Sequence, residues 1–254
     1  RRIIYFSMLW VVFEWLRGWA FTGFPWNLIG TVWTFSDAMI QVTSLVGVMG
    51  LSLFTVLAAS SLAALGYKDK PQRLRYQMTV VPLLILAVIW GGGAWRLQGA
   101  ENRFVENVQL RLVQPNIAQK DKWKSNLRGK HLNNLLALSE APALGEYAGR
   151  KPTHIIWPET ATPFFLEGND AALRVIAQVI PKKGALLTGS PRRTGGGGIP
   201  AQLWNSLHVV SPEAKISATF DKFHLVPFGE YVPLRKYVNF AKLTAGRTDF
   251  SSGP

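Results

Sequence analysis

Two stretches of this 254-residue sequence hold the residue types that acid–base and acyl chemistry need. The first is Ile155-Ile-Trp-Pro-Glu-Thr-Ala161, in which a carboxylate directly follows a short apolar run and a proline. Sites in layered α/β domains form just beyond the C-terminal ends of strands. A glutamate held there against Trp157 is predicted to be partly desolvated, which raises its pKa and suits Glu159 to act as a general base. The competing reading is a glutamate at a helix N-terminus, stabilised by the helix dipole.

The second stretch is Phe220-Asp-Lys-Phe-His-Leu-Val-Pro-Phe-Gly-Glu-Tyr-Val-Pro233. Lys222 stands among Phe220, Phe223 and Phe228, a cation in apolar surroundings that needs an acidic partner or an anion developing during reaction. Asp221 and Glu230 are the candidate partners. A purely structural Lys–Glu ion pair is the alternative. His224 is expected to be a structural hydrogen-bonding residue. No second His or Cys stands at metal-ligand spacing. The sequence contains no cysteine, so disulfides and thiolate metal sites are excluded within it.

These residues need elements to position them. Val108, Leu110 and Leu112 alternate with polar residues and lead into Gln114-Pro-Asn, a strand ending in a turn. Leu127 to Leu144 reads as a helix with Leu132, Leu135, Leu136 and Leu138 on one face. His154–Trp157 reads as a short buried strand, Ala171–Ile180 as a helix and Ala185–Thr188 as another strand. Arg192 to Pro200, with four consecutive glycines, reads as a flexible hairpin tip. Leu203–Val210 and Lys215–Phe220 are the strands flanking it. Strands alternating with helices argue for a layered α/β domain.

The sequence before this domain is of another kind. Hydrophobic residues make up 48% of the chain and charged residues 17%, where roughly 25% charged is usual for a soluble domain. Apolar runs cover Ile3 to Trp15, Val42 to Leu65 and Met78 to Trp95, the last two without a charge. A bilayer core of ~30 Å needs ~20 apolar residues as a helix. Residues 1–97 are therefore read as about three transmembrane helices, and residues 98–254 as the extramembrane domain. Lys68, Lys70, Arg73 and Arg75 lie between the second and third spans, which puts Gly66 to Gln77 in the cytoplasm and the later domain outside it. The aromatic loop Arg17 to Asn27, broken by Gly23 and Pro25, then faces the same side as that domain. It is read as a lipid access site or as an interfacial anchor. A net charge of +13 raises nucleic acid as a partner, but the basic residues are dispersed. A basic surface near anionic lipid headgroups is the simpler expectation, with no nucleic acid involved.

Taken in order, Phe24-Pro-Trp-Asn27, Val113-Gln-Pro-Asn-Ile-Ala-Gln119 with Lys122-Trp123, Trp157-Pro-Glu-Thr-Ala161, Trp204-Asn-Ser206 and the Lys222 to Pro233 stretch resemble the apolipoprotein N-acyltransferase family. This family is a membrane-embedded branch of the nitrilase, or carbon–nitrogen hydrolase, superfamily. The resemblance implies a membrane α-helical segment plus an α/β domain, a nitrilase-like α-β-β-α sandwich that would be incomplete here. By motif position it makes Glu159 the general base, Lys222 the oxyanion-stabilising lysine and Glu230 a supporting acid. It implies substrate binding by Trp123, Phe24 and Trp26. The family's third catalytic residue is a Cys some tens of residues beyond the lysine motif, so the sequence is expected to be cut at both ends with the thiol downstream of Pro254. The activity implied moves an acyl chain from a phospholipid to the α-amino group of a diacylglyceryl-modified lipoprotein, with no cofactor or metal. The location implied is the bacterial inner membrane, multi-pass, with the catalytic domain on the periplasmic side. A membrane-tethered amidase, a non-catalytic lipid-binding homologue and a transporter are the alternatives, though few ionisable residues lie within the spans.

Overall fold

The structure, a computed structural model, describes residues 1–101, 103–196, 199–234 and 248–254. It divides into two units, Arg1–Arg103 and Phe104–Pro254, a boundary six residues later than the sequence suggests.

The first unit is helical. It comprises α1 (Arg2–Trp19), a 3-10 turn over Ile29–Phe35, α2 (Asp37–Ile40), α3 (Thr43–Ser61) running on as a 3-10 turn to Gly66, and α4 (Gln72–Gln98). Two stretches, Thr43–Gly66 and Gln72–Gln98, are long and apolar enough to cross a membrane, with mean hydropathies of 2.0 and 1.8. The first expected span is also a helix, but α1 carries Arg2, Glu14 and Arg17 within its 18 residues. Outer faces are apolar and exposed, as at Phe13, Leu45 and Val88. Between the helices, hydroxyl side chains such as Ser7, Ser52, Ser61 and Thr79 are buried beside apolar ones such as Leu51 and Val56, as expected where packing and hydrogen bonds drive association. Thr79 Oγ1 donates to the Ser61 carbonyl at 3.1 Å, and the Ser61 hydroxyl donates back to the Thr79 carbonyl at 3.3 Å. Trp33 Nε1 donates to Thr55 Oγ1 at 2.8 Å. Buried Glu14 accepts the Ile29 N–H at 2.8 Å, satisfying the first donor of the 3-10 turn.

The second unit is a five-stranded sheet in the order β1 (Leu110–Leu112), β2 (His154–Ile156), β3 (Ala185–Gly196), β4 (Ile199–Val210), β5 (Ile216–Asp221). β1, β2 and β3 are parallel, and β3, β4 and β5 form an antiparallel meander. The parallel crossovers carry α5 (Gln119–Lys122) and α6 (Arg128–Glu140) after β1, and α7 (Asp170–Ala177) after β2. Asn169 caps α7 by accepting the Ala172 N–H at 3.1 Å. One sheet face packs on these helices: Ile155, Leu186 and Val210 meet Leu135 of α6 and Leu173 and Ile176 of α7. Side chains alternate across a strand, so the register sets Leu110, Leu112, Leu207 and Phe220 on the other face, where all four are exposed.

Two expectations need correction. Within Arg192 to Pro200 the described residues are strand: β3 continues to Gly196 and β4 begins at Ile199, because register pairs such as Arg192 with Trp204 and Thr194 with Gln202 extend the ladder, while Gly197 and Gly198, at the expected tip, lie outside the described residues. The helix expected over Leu127 to Leu144 ends at Glu140, ahead of Pro142.

Candidate active site

Glu159 sits three residues beyond the end of β2. Trp157 extends the strand by one hydrogen bond, its N–H to the Leu187 carbonyl at 2.8 Å. Its buried indole anchors in the core, donating to Ser139 Oγ at 2.8 Å. Pro158 then opens a turn closed by the Ala161 N–H to the Pro158 carbonyl at 3.2 Å. No helix begins there; the next one, α7, starts at Asp170. The helix-terminus reading of Glu159 is therefore excluded. The turn lies directly on β3, where a Cβ on Gly189 would stand 2.4 Å from Thr160 N and 2.7 Å from Glu159 Cα. Glycine is what permits that approach.

Lys222 is the residue after β5, held in the ladder by its N–H to the Asn205 carbonyl at 2.8 Å. Its Nζ lies 3.1 Å from Glu159 Oε1 and 3.0 Å from Glu230 Oε2. Glu230 is buried, and its Oε2 accepts the Val226 N–H at 2.7 Å. Of the three phenylalanines expected around Lys222, Phe220 and Phe223 are exposed and Phe228 is half-buried, and the ammonium faces two carboxylates. Asp221 is no partner either. It points to the opposite sheet face, ion-paired with Arg192 and accepting the Ser206 hydroxyl at 2.6 Å.

Asn205, on β4, completes the arrangement. Its Nδ2 donates to Glu159 Oε1 at 2.5 Å and to Glu230 Oε1 at 2.6 Å. Sequence reasoning singled out Trp204-Asn-Ser206 only as a motif and gave Asn205 no role. Lys122, at the end of α5, approaches from another side, its Nζ donating to the Glu159 carbonyl oxygen at 3.1 Å. Trp123 follows it, half-buried. Phe24 and Trp26 belong to the first unit, in the loop after α1. Their rings stack at 6.3 Å, and Arg17 Nη2 donates to the Trp26 carbonyl at 2.7 Å.

The electrostatics reverse one expectation. Burial pushes the Glu159 carboxyl up, but the Lys222 ammonium, the hydrogen bonds from Lys222 and Asn205, and Lys122 outweigh it. The carboxyl is held below the ordinary glutamate value instead of above it. Burial likewise pushes the Lys222 ammonium down, and the hydrogen bond it donates to Glu230 and the charge of Glu159 more than reverse that. Glu159 therefore waits as a carboxylate and Lys222 as an ammonium at neutral pH. This pair can take up a proton at one end and stabilise a developing oxyanion at the other. Among the described residues no cluster of three His, Cys, Asp or Glu could hold a metal.

The chain thus carries two apolar, membrane-length helices in its first unit and a carboxylate–ammonium–carboxylate cluster in its second. Comparison with known proteins adds to this. Residues 1–61 match the family model described as the apolipoprotein N-acyltransferase N-terminal domain. Proteins named apolipoprotein N-acyltransferase align with nearly the whole chain. The one from Rhodopseudomonas palustris is 34% identical over 99% of this chain and 48% of its own length. That from Brucella melitensis is 37% identical over 93% and 44%, and that from Rickettsia prowazekii 34% identical over 98% and 48%. The chain is thus similar, over nearly all of its length, to proteins named apolipoprotein N-acyltransferase. It spans about half the length of the curated relatives it matches.

Proposed function

We propose that these residues supply the general base and the oxyanion-stabilising cation of a lipoprotein N-acyltransferase. Its acyl donor is a phospholipid, and its acceptor is the α-amino group of a diacylglyceryl-modified cysteine at a lipoprotein N-terminus. The observation that carries the reading is Lys222 held between Glu159 and Glu230, with Asn205 tying the two carboxylates together. The sequence contains no cysteine, so the thiol this chemistry uses comes from outside these 254 residues.

Glu159 accepts the thiol proton, and the thiolate sulfur attacks the ester carbonyl carbon of the donor. The carbonyl electrons move onto oxygen, and the Lys222 ammonium stabilises that oxyanion. Collapse breaks the ester C–O bond, and the lysophospholipid alkoxide leaves with the proton from Glu159. The acceptor amine then attacks the thioester and gives its proton to Glu159. The second oxyanion meets the same ammonium, and collapse expels the thiol, reprotonated by Glu159. A thiol, with an ordinary pKa of ~8.5, is a weaker acid than a glutamic acid at ~4.3. The first proton transfer therefore runs uphill unless Lys222 also stabilises the thiolate, as a neighbouring ammonium does. Glu230 and Asn205 keep Lys222 and Glu159 in register. Trp123, Phe24 and Trp26 are proposed lipid contacts.

The same reading includes a membrane-embedded first unit, a loop Gly66 to Gln77 in the cytoplasm and an α/β unit on the periplasmic side of a bacterial inner membrane. Its support is the basic loop between two apolar helices. It also includes a nitrilase-like sandwich, in which a second sheet covers the exposed apolar face of Leu110, Leu112, Leu207 and Phe220.

The test is acyl transfer by the full-length gene product in membranes. Glu159→Gln is expected to slow thioester formation about 10²–10⁴-fold. Lys222→Met is expected to slow both half-reactions about 10²–10³-fold. Lys222→Arg does not rescue, because a planar fork cannot take the place of a compact ammonium between two carboxylates. If Glu159→Gln and Lys222→Met leave both steps within about twofold of wild type, the cluster is a structural ion pair and the assignment falls.

A further inference from the structure

The segment leading from β1 to α6 carries a feature that neither the base nor the oxyanion role uses. Within Lys120 to Lys130 stand Lys120, Lys122, Lys124, Arg128 and Lys130 against a single acid, Asp121. That acid is already paired with Lys124 at 2.6 Å. Lys120, Arg128 and Lys130 are exposed around Lys122. Exposed lysines are ordinarily solvated and carry nothing. Lys122 is different, because it is half-buried and its ammonium has three donors. Its hydrogen-bond acceptor among the described residues is a neutral carbonyl, that of Glu159. Burial pushes this ammonium down, and the nearby Glu159 charge offsets that only in part. A cation withdrawn from water without an anion in contact favours binding one.

Its position suggests which anion. Lys122 and Lys222 hold the same residue from two ends: Lys122 through the Glu159 backbone carbonyl, Lys222 through the Glu159 carboxylate, each at 3.1 Å. In a glycerophospholipid the scissile ester and the phosphate are separated by only the glycerol carbons and their oxygens. We propose that Lys122, at the inner end of the basic segment Lys120–Lys130, binds the phosphodiester of the donor phospholipid while its ester carbonyl lies against Lys222. Lys122 is thus a donor-binding residue that selects phosphate-bearing lipids, and the exposed cations draw the anionic headgroup towards it. Half-buried Trp123 beside it offers the glycerol region an apolar surface. This subsite rests on the acyltransferase reading given above.

The experiment compares two acyl donors in the full-length enzyme: a phosphatidylethanolamine in mixed micelles, and a 4-nitrophenyl ester of the same fatty acid, which has no phosphate. The readout is thioester formation, as kcat and KM separately. For Lys122→Met the KM for the phospholipid is expected to rise about tenfold more than that for the nitrophenyl ester, because a charge-assisted contact to phosphate is lost from one donor only. Lys122→Arg, which keeps the charge, is expected to recover most of the phospholipid KM. Excess inorganic phosphate is expected to change the phospholipid KM by less than about twofold. Equal losses with both donors, or no recovery with arginine, overturn the subsite and make Lys122 a support of the Glu159 turn. Competition by inorganic phosphate as strong as by the lipid reassigns the site to free phosphate and overturns it too. A wild-type enzyme that forms no thioester from either donor overturns the acyltransferase reading itself, a result distinct from all of these.

Discussion

Replacing Asn205 by aspartate changes one nitrogen to oxygen at the centre of the site. In the native chain the amide donates at 2.5 Å to Glu159 and at 2.6 Å to Glu230. A hydrogen bond to a charged group contributes about 1.5–3 kcal/mol net, so the two together are worth about 3–6 kcal/mol. The share falling on Glu159 must be discounted, because its side chain is 61% exposed. The share falling on Glu230, 11% exposed, is felt more fully. Aspartate also adds repulsion: a unit charge at ~2.5 Å from another costs about 2 kcal/mol at the dielectric of water and about 7 at an effective value of ~20. Lys222 alone cannot offset three carboxylates, so the site is expected to take up and share a proton. A shared proton blocks Glu159 as a base. Asn205→Asp should therefore be nearly inactive at neutral pH and recover as pH rises and the proton leaves. Asn205→Leu, which has no proton to lose, should be slow at every pH. The assay is thioester formation against pH in full-length protein, with thermal midpoints recorded in parallel. If Asn205→Asp keeps the wild-type rate and pH profile, the amide does not bridge the two carboxylates and the geometry argued above is wrong.

Three further outcomes are expected. Gly189→Ala puts a Cβ against backbone atoms of Thr160 and Glu159, so the turn must shift. Since a misplacement near 1 Å can cost ~10²-fold, acyl transfer should fall at least tenfold, and an unchanged rate would show that the turn does not need that approach. His208 is fully buried, and burial first, then the Arg192 charge, hold its imidazole below the ordinary 6.5, with Asp221 opposing. A depressed folded value means that the unfolded chain binds the proton first. This contribution to stability is thus intact above about pH 6.5 and is lost as pH falls below it. The thermal midpoint of His208→Gln should decline less between about pH 7 and 5 than that of wild type, and parallel declines would exclude His208 as the cause. Single cysteines at exposed Ser125 and exposed Gln72 test orientation with an impermeant thiol reagent on spheroplasts. Labelling above the parent background is expected at Ser125 only, and labelling at Gln72 alone would reverse the topology.

The order of strands and helices was legible because the local signals agree: alternating Leu110 and Leu112, the helical leucines of α6, and Pro158 closing β2. The first apolar run was harder, since its helix mixes three charges into 18 residues and Glu14 serves a neighbouring turn rather than solvent. The two ends of the site, Glu159 and Lys222, were legible from motif. The pKa direction of Glu159 was not. Sequence shows Trp157 two residues away but not Lys222 and Asn205, which register brings into contact from 63 and 46 positions further on.

The partner of Lys222 could have been decided without coordinates. Phe220 and Asp221 close a strand, and successive residues on a strand face opposite sides. If Lys222 continues that strand, Asp221 cannot reach what Lys222 reaches, and Glu230 is left as the partner. The structure bears this out: Asp221 lies with Arg192 and Ser206 on one face, and Lys222 lies with the two glutamates on the other. The same parity singles out Asn205. Ser206, His208 and Val210 are buried toward the helix-covered face, so Asn205 must project to the face that carries Lys222 and the two glutamates. A polar side chain inside a strand, one position out of phase with the core, is therefore a stronger marker of this site than its proximity in sequence to any catalytic residue.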